Sequence, residues 1–240
     1  MMPIDAHAPI TITALKWVPP FAQGQVRDHR LRWMMKEVGW DYAVELIDPT
    51  VQESSGYRAQ QPFGQVPVLR EAGRPILFET GAILLDIAER SGKLLPDDEA
   101  DRALAKCWLF AALNSVEPLL AEISVADIFL EDKEVAKGYR PYAVKMAELR
   151  LGQLSGYLGD RDWLVGDDFS LADLMMSSVT KTVHHTDLVE AHDNLAAWRD
   201  RCFVRPAYKA AIAEQCAEFE GHGPKDMGWG EETNEKGEEA

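Results

Sequence analysis

Two short stretches of the chain combine residue types that suit ligand chemistry. One is Gln61-Pro-Phe-Gly-Gln-Val-Pro-Val-Leu69, and the other is Phe78-Glu-Thr80, which runs into an apolar helix. A bond preceding proline is the one place where a cis peptide is readily reached. A cis Val66-Pro67 bond turns the N–H and C=O of Val66 toward a ligand instead of the next strand. A helix opening at Thr80 offers unpaired amides and the positive end of a dipole, both suited to a carboxylate. Glu79 beside it suits an ammonium. The set matches a ligand with a peptide main chain, an α-amine and an α-carboxylate, and glutathione meets all three conditions. Plainer roles fit the same letters: Val66-Pro67 as a strand start with a trans bond, Glu79-Thr80 as a helix cap, and Gln65 as a solvated side chain.

The elements that must position these residues alternate strand and helix. Thr11 to Trp17 is rich in β-branched and aromatic residues, and Pro19-Pro20 breaks it into a loop through Gly24. Leu31, Met34, Met35 and Val38 recur at helical spacing before Gly39. Tyr42 to Ile47 reads as a second strand, parallel to the first through the intervening helix. Val66 to Leu69 and Pro75 to Phe78 form a hairpin about Gly73, and Ile83, Leu84, Ile87 and Ala88 make a helix face ending at Gly92. The order βαβ, a short helical connection, then ββα is a thioredoxin-like arrangement.

Beyond Lys93 strand signals nearly vanish. Leu104, Trp108, Ala111, Ala112, Ser115, Val116 and Leu119 outline a long helix, interrupted or bent near Pro118. A second helix is expected over 143–158. Phe169-Ser-Leu-Ala-Asp173 opens a third, with Ser170 and Asp173 as a capping box and Phe169 stapled against Leu174. Two more helices are split at Arg205-Pro206. The expected organisation is a thioredoxin-like domain over 10–92, an all-helical domain over 98–219, and an acidic tail over 220–240 with too little apolar material to fold alone.

Bulk composition narrows the function classes. The 240 residues carry a net charge of −15, of which Gly221 to Ala240 contribute −4, leaving −11 on the rest. Such a charge argues against nucleic acid or an anionic membrane as a partner. Three cysteines without a C-x-x-C pair (Cys107, Cys202, Cys216) fit a reducing compartment. Met1 to Ile10 does not read as a secretory signal, and no apolar run approaches the roughly 20 residues of a membrane span. A cytoplasmic, soluble protein is the expectation.

From about Thr11 to Phe219 the chain resembles the glutathione S-transferase superfamily. The likeness rests on Pro62-x-Gly64-x-Val66-Pro67-x-Leu69, on Glu79-Thr80 where the family usually has Glu-Ser, and on Phe169-Ser-Leu-Ala-Asp173. It is most similar to bacterial members, nu-like ones among them. The resemblance implies that Val66 pairs its backbone with the cysteinyl unit of glutathione across a cis Pro67. It also implies that Glu79 and Thr80 hold the γ-glutamyl amine and carboxylate, and that Gln65 reaches the glycyl carboxylate. Phe169 to Asp173 is structural in the family. The implied assembly is a homodimer, and glutathione is a co-substrate with no metal or organic cofactor.

The chain departs from the family at the sulfur. Members usually place Tyr, Ser or Cys just after the first strand, whereas no Ser, Thr, Tyr or Cys lies between Ala14 and Asp41 here. That removes a cysteine mechanism at this position. Activation means stabilising a thiolate whose free pKa is roughly 8.5. The turn Gly24 to Arg27 remains: amides and a dipole at a helix start, the fixed charge of Arg27 and the side-chain amide of Gln25. Arg27 paired with Asp28 or Glu37 is the competing reading. Arg30 and Arg32 are expected to turn away from position 27 or toward solvent. Phe21, Trp108 and Asn114 are the candidate substrate contacts. His184-His185 and His192 read as a solvated helix end, with no spacing that completes a metal site. Cys107 is expected to pack as a small apolar residue.

Three functions follow. The first is conjugation of glutathione to a hydrophobic electrophile, a detoxifying transferase. The second is glutathione-dependent reduction of a disulfide, which needs no cysteine of the protein's own. The third is a binding or regulatory protein that kept the fold without the chemistry.

Overall fold

A computed structural model of the protein describes residues 8–228. They divide into two compact units. One comprises the chain up to Ile87 together with everything from Pro206 onward, and the other is Ala88–Arg205.

The first unit is built on a four-stranded sheet in the order β2-β1-β3-β4. Strand β1 (Ile10–Leu15) is Ile-Thr-Ile-Thr-Ala-Leu, and its β-branched alternation favours the pleated conformation. Helix α1 (Asp28–Val38) buries Leu31, Met34, Met35 and Val38 and ends at Gly39, whose φ of +77° lets its N–H return to the Met35 carbonyl. Strand β2 (Ala43–Ile47) then lies parallel to β1. Two short helices, α2 (Pro49–Glu53) and α3 (Ser55–Arg58), lead to β3 (Val68–Glu71) and β4 (Leu77–Phe78). β3 is antiparallel to both β1 and β4. Helix α4 (Thr80–Ser91) follows, with Ile83, Leu84, Ile87 and Ala88 fully buried. The observed order is the expected thioredoxin-like one.

The second unit is helical. Helix α5 (Glu99–Ala111) passes through a π-helical segment at Ala112–Val116 into α6 (Glu117–Ser124), and a second π-helical segment follows at Val125–Phe129. Pro118 lacks an N–H and its ring crowds the preceding turn, so the widened turn before it lets the helix continue. The whole run Glu99–Phe129 spans 31 residues and holds an 18-residue window of mean hydropathy 1.4, of which 39% is buried. The linear reading missed this run because Asn114, Ser115, Glu117 and Pro118 interrupt it. Its core stripe shares Ala112 and Val116 with the expected one and otherwise lies one position further along. Ala105, Leu109, Ala112, Val116, Leu120 and Ile123 are buried, whereas Leu104 and Ser115 are exposed. Apolar letters flank both stripes, so period alone did not choose between them.

Helix α7 (Lys133–Leu158) begins ten residues before the expected 143 and contains Pro141. Helix α8 (Leu171–Thr180) is buried at every position, and α9 (Asp193–Phe203) closes the unit. Helix α10 (Pro206–Phe219) packs on α1 and belongs with the sheet, not with the helical unit as the 98–219 boundary has it. Past it, Pro224–Met227 forms a 3-10 turn with Met227 buried, so the first part of the 220–240 segment, expected not to fold, is structured. Residues 229–240 lie outside the described residues.

Candidate functional site

The loop before β3 is built from its own polar groups. Gln61 is buried and its Oε1 accepts the Phe63 N–H at 2.6 Å. Gly64 sits at φ +67° beneath Arg58, where a Cβ would come within 2.9 Å of the guanidinium carbon. The Gly64 carbonyl accepts from Gln52 Nε2 at 2.8 Å. These bonds deliver an exposed Gln65, a half-buried Val66 and a buried Pro67, and the Val66-Pro67 bond is cis. Among the described residues, no hydrogen bond involves the Val66 N–H or C=O.

Glu79 stands at φ +69°, in the left-handed region. A non-glycine residue there costs roughly 1–2 kcal/mol, and such strain clusters where a site requires it. Its carbonyl accepts the first bond of α4, from the Ile83 N–H at 3.0 Å, so the amides of Thr80, Gly81 and Ala82 precede the first intrahelical bond. Thr80 is 5% exposed, while Glu79 is exposed.

Sheet register brings the two stretches together. Val68 pairs with Phe78, so Val66-Pro67 and Glu79-Thr80 leave the β3–β4 pair at the same end. β1 runs antiparallel to β3, with Ile12 opposite Leu69, so its carboxyl end and the loop after it emerge at that end too. Ligands of open α/β sheets gather at such carboxyl ends, outside the crossover.

The start of α1 lies on this loop and differs from expectation. The N–H groups of Gln25, His29 and Arg30 bond back to the carbonyls of Ala22, Val26 and Arg27 at 2.9–3.1 Å. Of the turn Gly24 to Arg27, whose amides were expected to face a ligand, the Gln25 amide is therefore engaged, as are those of His29 and Arg30 just beyond it. The Arg27 side chain is exposed and Gln25 is half-buried. Asp28, the expected alternative partner of Arg27, accepts from Arg32 Nε at 2.7 Å and Gln215 Nε2 at 2.6 Å. Glu37 accepts from Trp33 Nε1 at 2.9 Å.

Arg30 and Arg32 do not face solvent: they are 2% and 0% exposed. The periodicity treats them as polar, but α10 covers the face of α1 that carries Arg32. Arg32 reaches Glu214 at 3.0 Å and Glu218 at 2.5 Å, Lys36 also holds Glu214 at 2.5 Å, and Tyr42 donates to Glu214. Gln215 further donates to the Val26 carbonyl at 2.9 Å, so α10 braces the turn that carries Gln25 and Arg27. Nothing in the local sequence of α1 signals this; the partners lie 172 to 189 positions away.

Two family models match the chain. The glutathione S-transferase N-terminal domain covers residues 28–90, and the C-terminal domain covers residues 125–206. A glutathione S-transferase of Arabidopsis thaliana is 30% identical over 198 residues, covering 74% of this chain and 76% of that protein. The chain belongs to the glutathione S-transferase superfamily. The disulfide-bond oxidoreductase YfcG of Escherichia coli is 26% identical over 200 residues, 77% of this chain and 89% of that one. A glutathione transferase from Burkholderia graminis, solved with two glutathione molecules per subunit, shares the fold at a TM-score of 0.74 and 22% identity, over 85% of this chain and 88% of that one.

The remaining candidates of this glutathione S-transferase fold divide between the units. Phe21, half exposed, lies in the 3-10 turn Pro20–Ala22 of the sheet unit. In the helical unit Trp108 is half-buried, its ring 4.3 Å from that of Tyr157, and Asn114 is exposed within the first π-helical segment. Cys107 is exposed and does not pack as an apolar residue. His185 meets Asp127 at 3.2 Å and His184 the Lys181 carbonyl at 3.0 Å. The capping box forms as expected: Asp173 accepts from the N–H and Oγ of Ser170, each at 3.0 Å. Phe169 stacks edge-on with Trp163 and lies under Arg205. Two buried residues behind the Gln65–Val68 segment went unnoticed in the sequence, Thr13 and Tyr57. The only signal was a threonine and a tyrosine among core neighbours, a pattern shared by many structural positions.

Proposed function

We propose that the protein binds glutathione through the main chain of Val66 and through Glu79 and Thr80, and transfers its thiolate to a small hydrophobic electrophile. The supporting observation is the shared sheet end at which the unbonded main chain of Val66, a left-handed Glu79 and the opening amides of α4 converge. In this reading Glu79 takes the ammonium, Thr80 and the helix start take the γ-glutamyl carboxylate, and the exposed Gln65 gives its amide to the glycyl carboxylate. Arg27 and Gln25 stabilise the thiolate. A shift of one pKa unit requires about 1.4 kcal/mol, within reach of a helix terminus and a nearby guanidinium. Proximity supplies most of the remaining acceleration. Arg27→Ala is expected to raise the pH midpoint of the bound thiolate's ultraviolet absorbance by roughly one unit. An unchanged midpoint removes Arg27 from the chemistry. A homodimer belongs to the same proposal, and sedimentation at the mass of one 26.8 kDa chain removes it.

A second reading draws on a specific feature. No hydroxyl or thiol side chain stands between Ala14 and Asp41, and one relative carries the name of a disulfide-bond oxidoreductase. With two glutathione molecules supplying both sulfurs, a small disulfide is reduced to two thiols as glutathione disulfide forms. Turnover of a small disulfide with little activity on a chloronitrobenzene favours this reading; the reverse favours conjugation.

A further inference from the structure

We propose that Thr13 and Tyr57 form a positioning relay that holds the main chain of Val66 in its ligand-facing attitude. The inference rests on the glutathione reading above and adds to it two residues that act through Val66. Neither presents surface to a ligand, since Thr13 is 0% and Tyr57 2% exposed.

The relay begins where the β1–β3 ladder stops. Ile12 pairs with Leu69, and the next pair in register would be Thr13 with Val68. There the side chain replaces the backbone: the Val68 N–H donates to Thr13 Oγ1 at 2.8 Å. Thr13 Oγ1 lies 3.0 Å from the Tyr57 hydroxyl, which donates to the Gln65 carbonyl at 2.8 Å. A phenol has one proton, and the Gln65 carbonyl takes it. Thr13 therefore donates to Tyr57, and every proton in the chain has a fixed direction, from Val68 through Thr13 and Tyr57 to Gln65. Burial pushes the Tyr57 phenol up from its ordinary range, so it stays a donor at neutral pH.

The two ends of the relay are the residues that flank Val66-Pro67. Gln65 is tied by its carbonyl and Val68 by its amide, and Pro67 has no N–H to tie. Between them the N–H and C=O of Val66 stay open. The Tyr57 ring adds a second restraint, because it packs with Ile47 and Val68 in the cluster against which the Val66 side chain rests. A phenylalanine would keep that packing and lose the relay.

Calorimetric titration with reduced glutathione tests this, alongside thermal melts of each variant. Tyr57→Phe and Thr13→Val are each expected to raise Kd about tenfold, the scale of one lost buried hydrogen bond with its partner left unpaired. Thr13→Ser keeps the hydroxyl and is expected to stay within about twofold of the parent protein. Because the two residues act as one unit, the double variant is expected to bind little worse than either single one. Tyr42→Phe, which removes a hydroxyl from the α1–α10 cluster, separates general destabilisation from positioning and is expected to leave Kd unchanged. Tyr57→Phe and Thr13→Val both binding within twofold overturn the relay, as does an equal loss of affinity in Tyr42→Phe at a matched melting temperature. If Tyr57→Phe does not fold, the contrast between Thr13→Val and Thr13→Ser decides. No binding heat in the parent protein overturns the glutathione reading itself, and the relay with it.

Discussion

Each unit of the molecule holds a buried hydrogen-bonded hub, and the two hubs close in different ways. In the helical unit Asp173, fully buried, accepts from the Leu164 N–H and Trp198 Nε1 at 2.9 Å and twice from Ser170 at 3.0 Å. Every donor it meets ends on it, and nothing is left over for a ligand. In the sheet unit the Thr13–Tyr57 chain satisfies the groups on both sides of Val66 and leaves Val66 itself open. A closed hub serves stability. A hub built around an unsatisfied peptide serves position, and the distinction is testable because the two kinds of damage register on different instruments.

The largest effect is expected at the closed hub. Asp173→Ala removes one carboxylate and strands four buried donors: two backbone amides, an indole and a hydroxyl. Burial also pushes the Asp173 carboxyl up, a desolvation that the four donors oppose. Breaking such a network costs on the order of 3–5 kcal/mol, so urea denaturation is expected to show a midpoint far below that of the parent protein. Asp173→Asn keeps one acceptor and brings two donors of its own, and an intermediate loss is expected. If Asp173→Ala melts within about 1 kcal/mol of the parent, the hub is not what closes the helical unit, and the contrast with the sheet unit fails.

Glu79 sharpens the comparison from the other side, because there the proposed ammonium-binding group is held at a conformational cost. Asparagine tolerates the left-handed region and carries no charge. Glu79→Asn is expected to leave stability within about 0.5 kcal/mol, as relief of backbone strain offsets the lost favourable charge at the start of α4. Glutathione affinity is expected to fall tenfold or more, on the scale of one charge-assisted hydrogen bond. A variant that loses stability and affinity together would place Glu79 with the closed hubs instead.

How much of this was legible in the sequence follows the range of the interactions. The thioredoxin-like order, the buried faces of α1 and α4, the cis Val66-Pro67 bond and the Ser170–Asp173 box each depend on residues within a few positions of one another. The features missed depend on partners far away along the chain. Arg32 looks like a surface residue until α10 supplies Glu214 and Glu218, and Thr13 looks like an ordinary strand residue until Tyr57 arrives 44 positions later. The core stripe of α5 lay between these cases: the period was right, but apolar letters on two neighbouring stripes left the face to be decided by α8.

The smallest expected effect concerns the cluster between α1 and α10, which is neither fully closed nor open. Asp28, Glu214 and Glu218 face Arg32 and Lys36, an excess of one negative charge in a mostly buried place. Burial pushes the Glu218 carboxyl up, while its bond to Arg32 draws it down, and the net direction is upward. A carboxyl whose folded-state pKa lies above its unfolded value of about 4.3 binds its proton more tightly in the native protein. Its contribution to stability is therefore fully present below the unfolded pKa and is lost as pH rises through the folded one. Glu218→Gln removes that titration while keeping an oxygen for Arg32. Urea midpoints for parent and variant, measured from pH 4 to 7, are expected to differ in slope, with the parent losing more stability than the variant as pH rises. Parallel curves would mean that Glu218 binds its proton equally well in the folded and unfolded chain, and α10 would then join Asp173 among the closed structures.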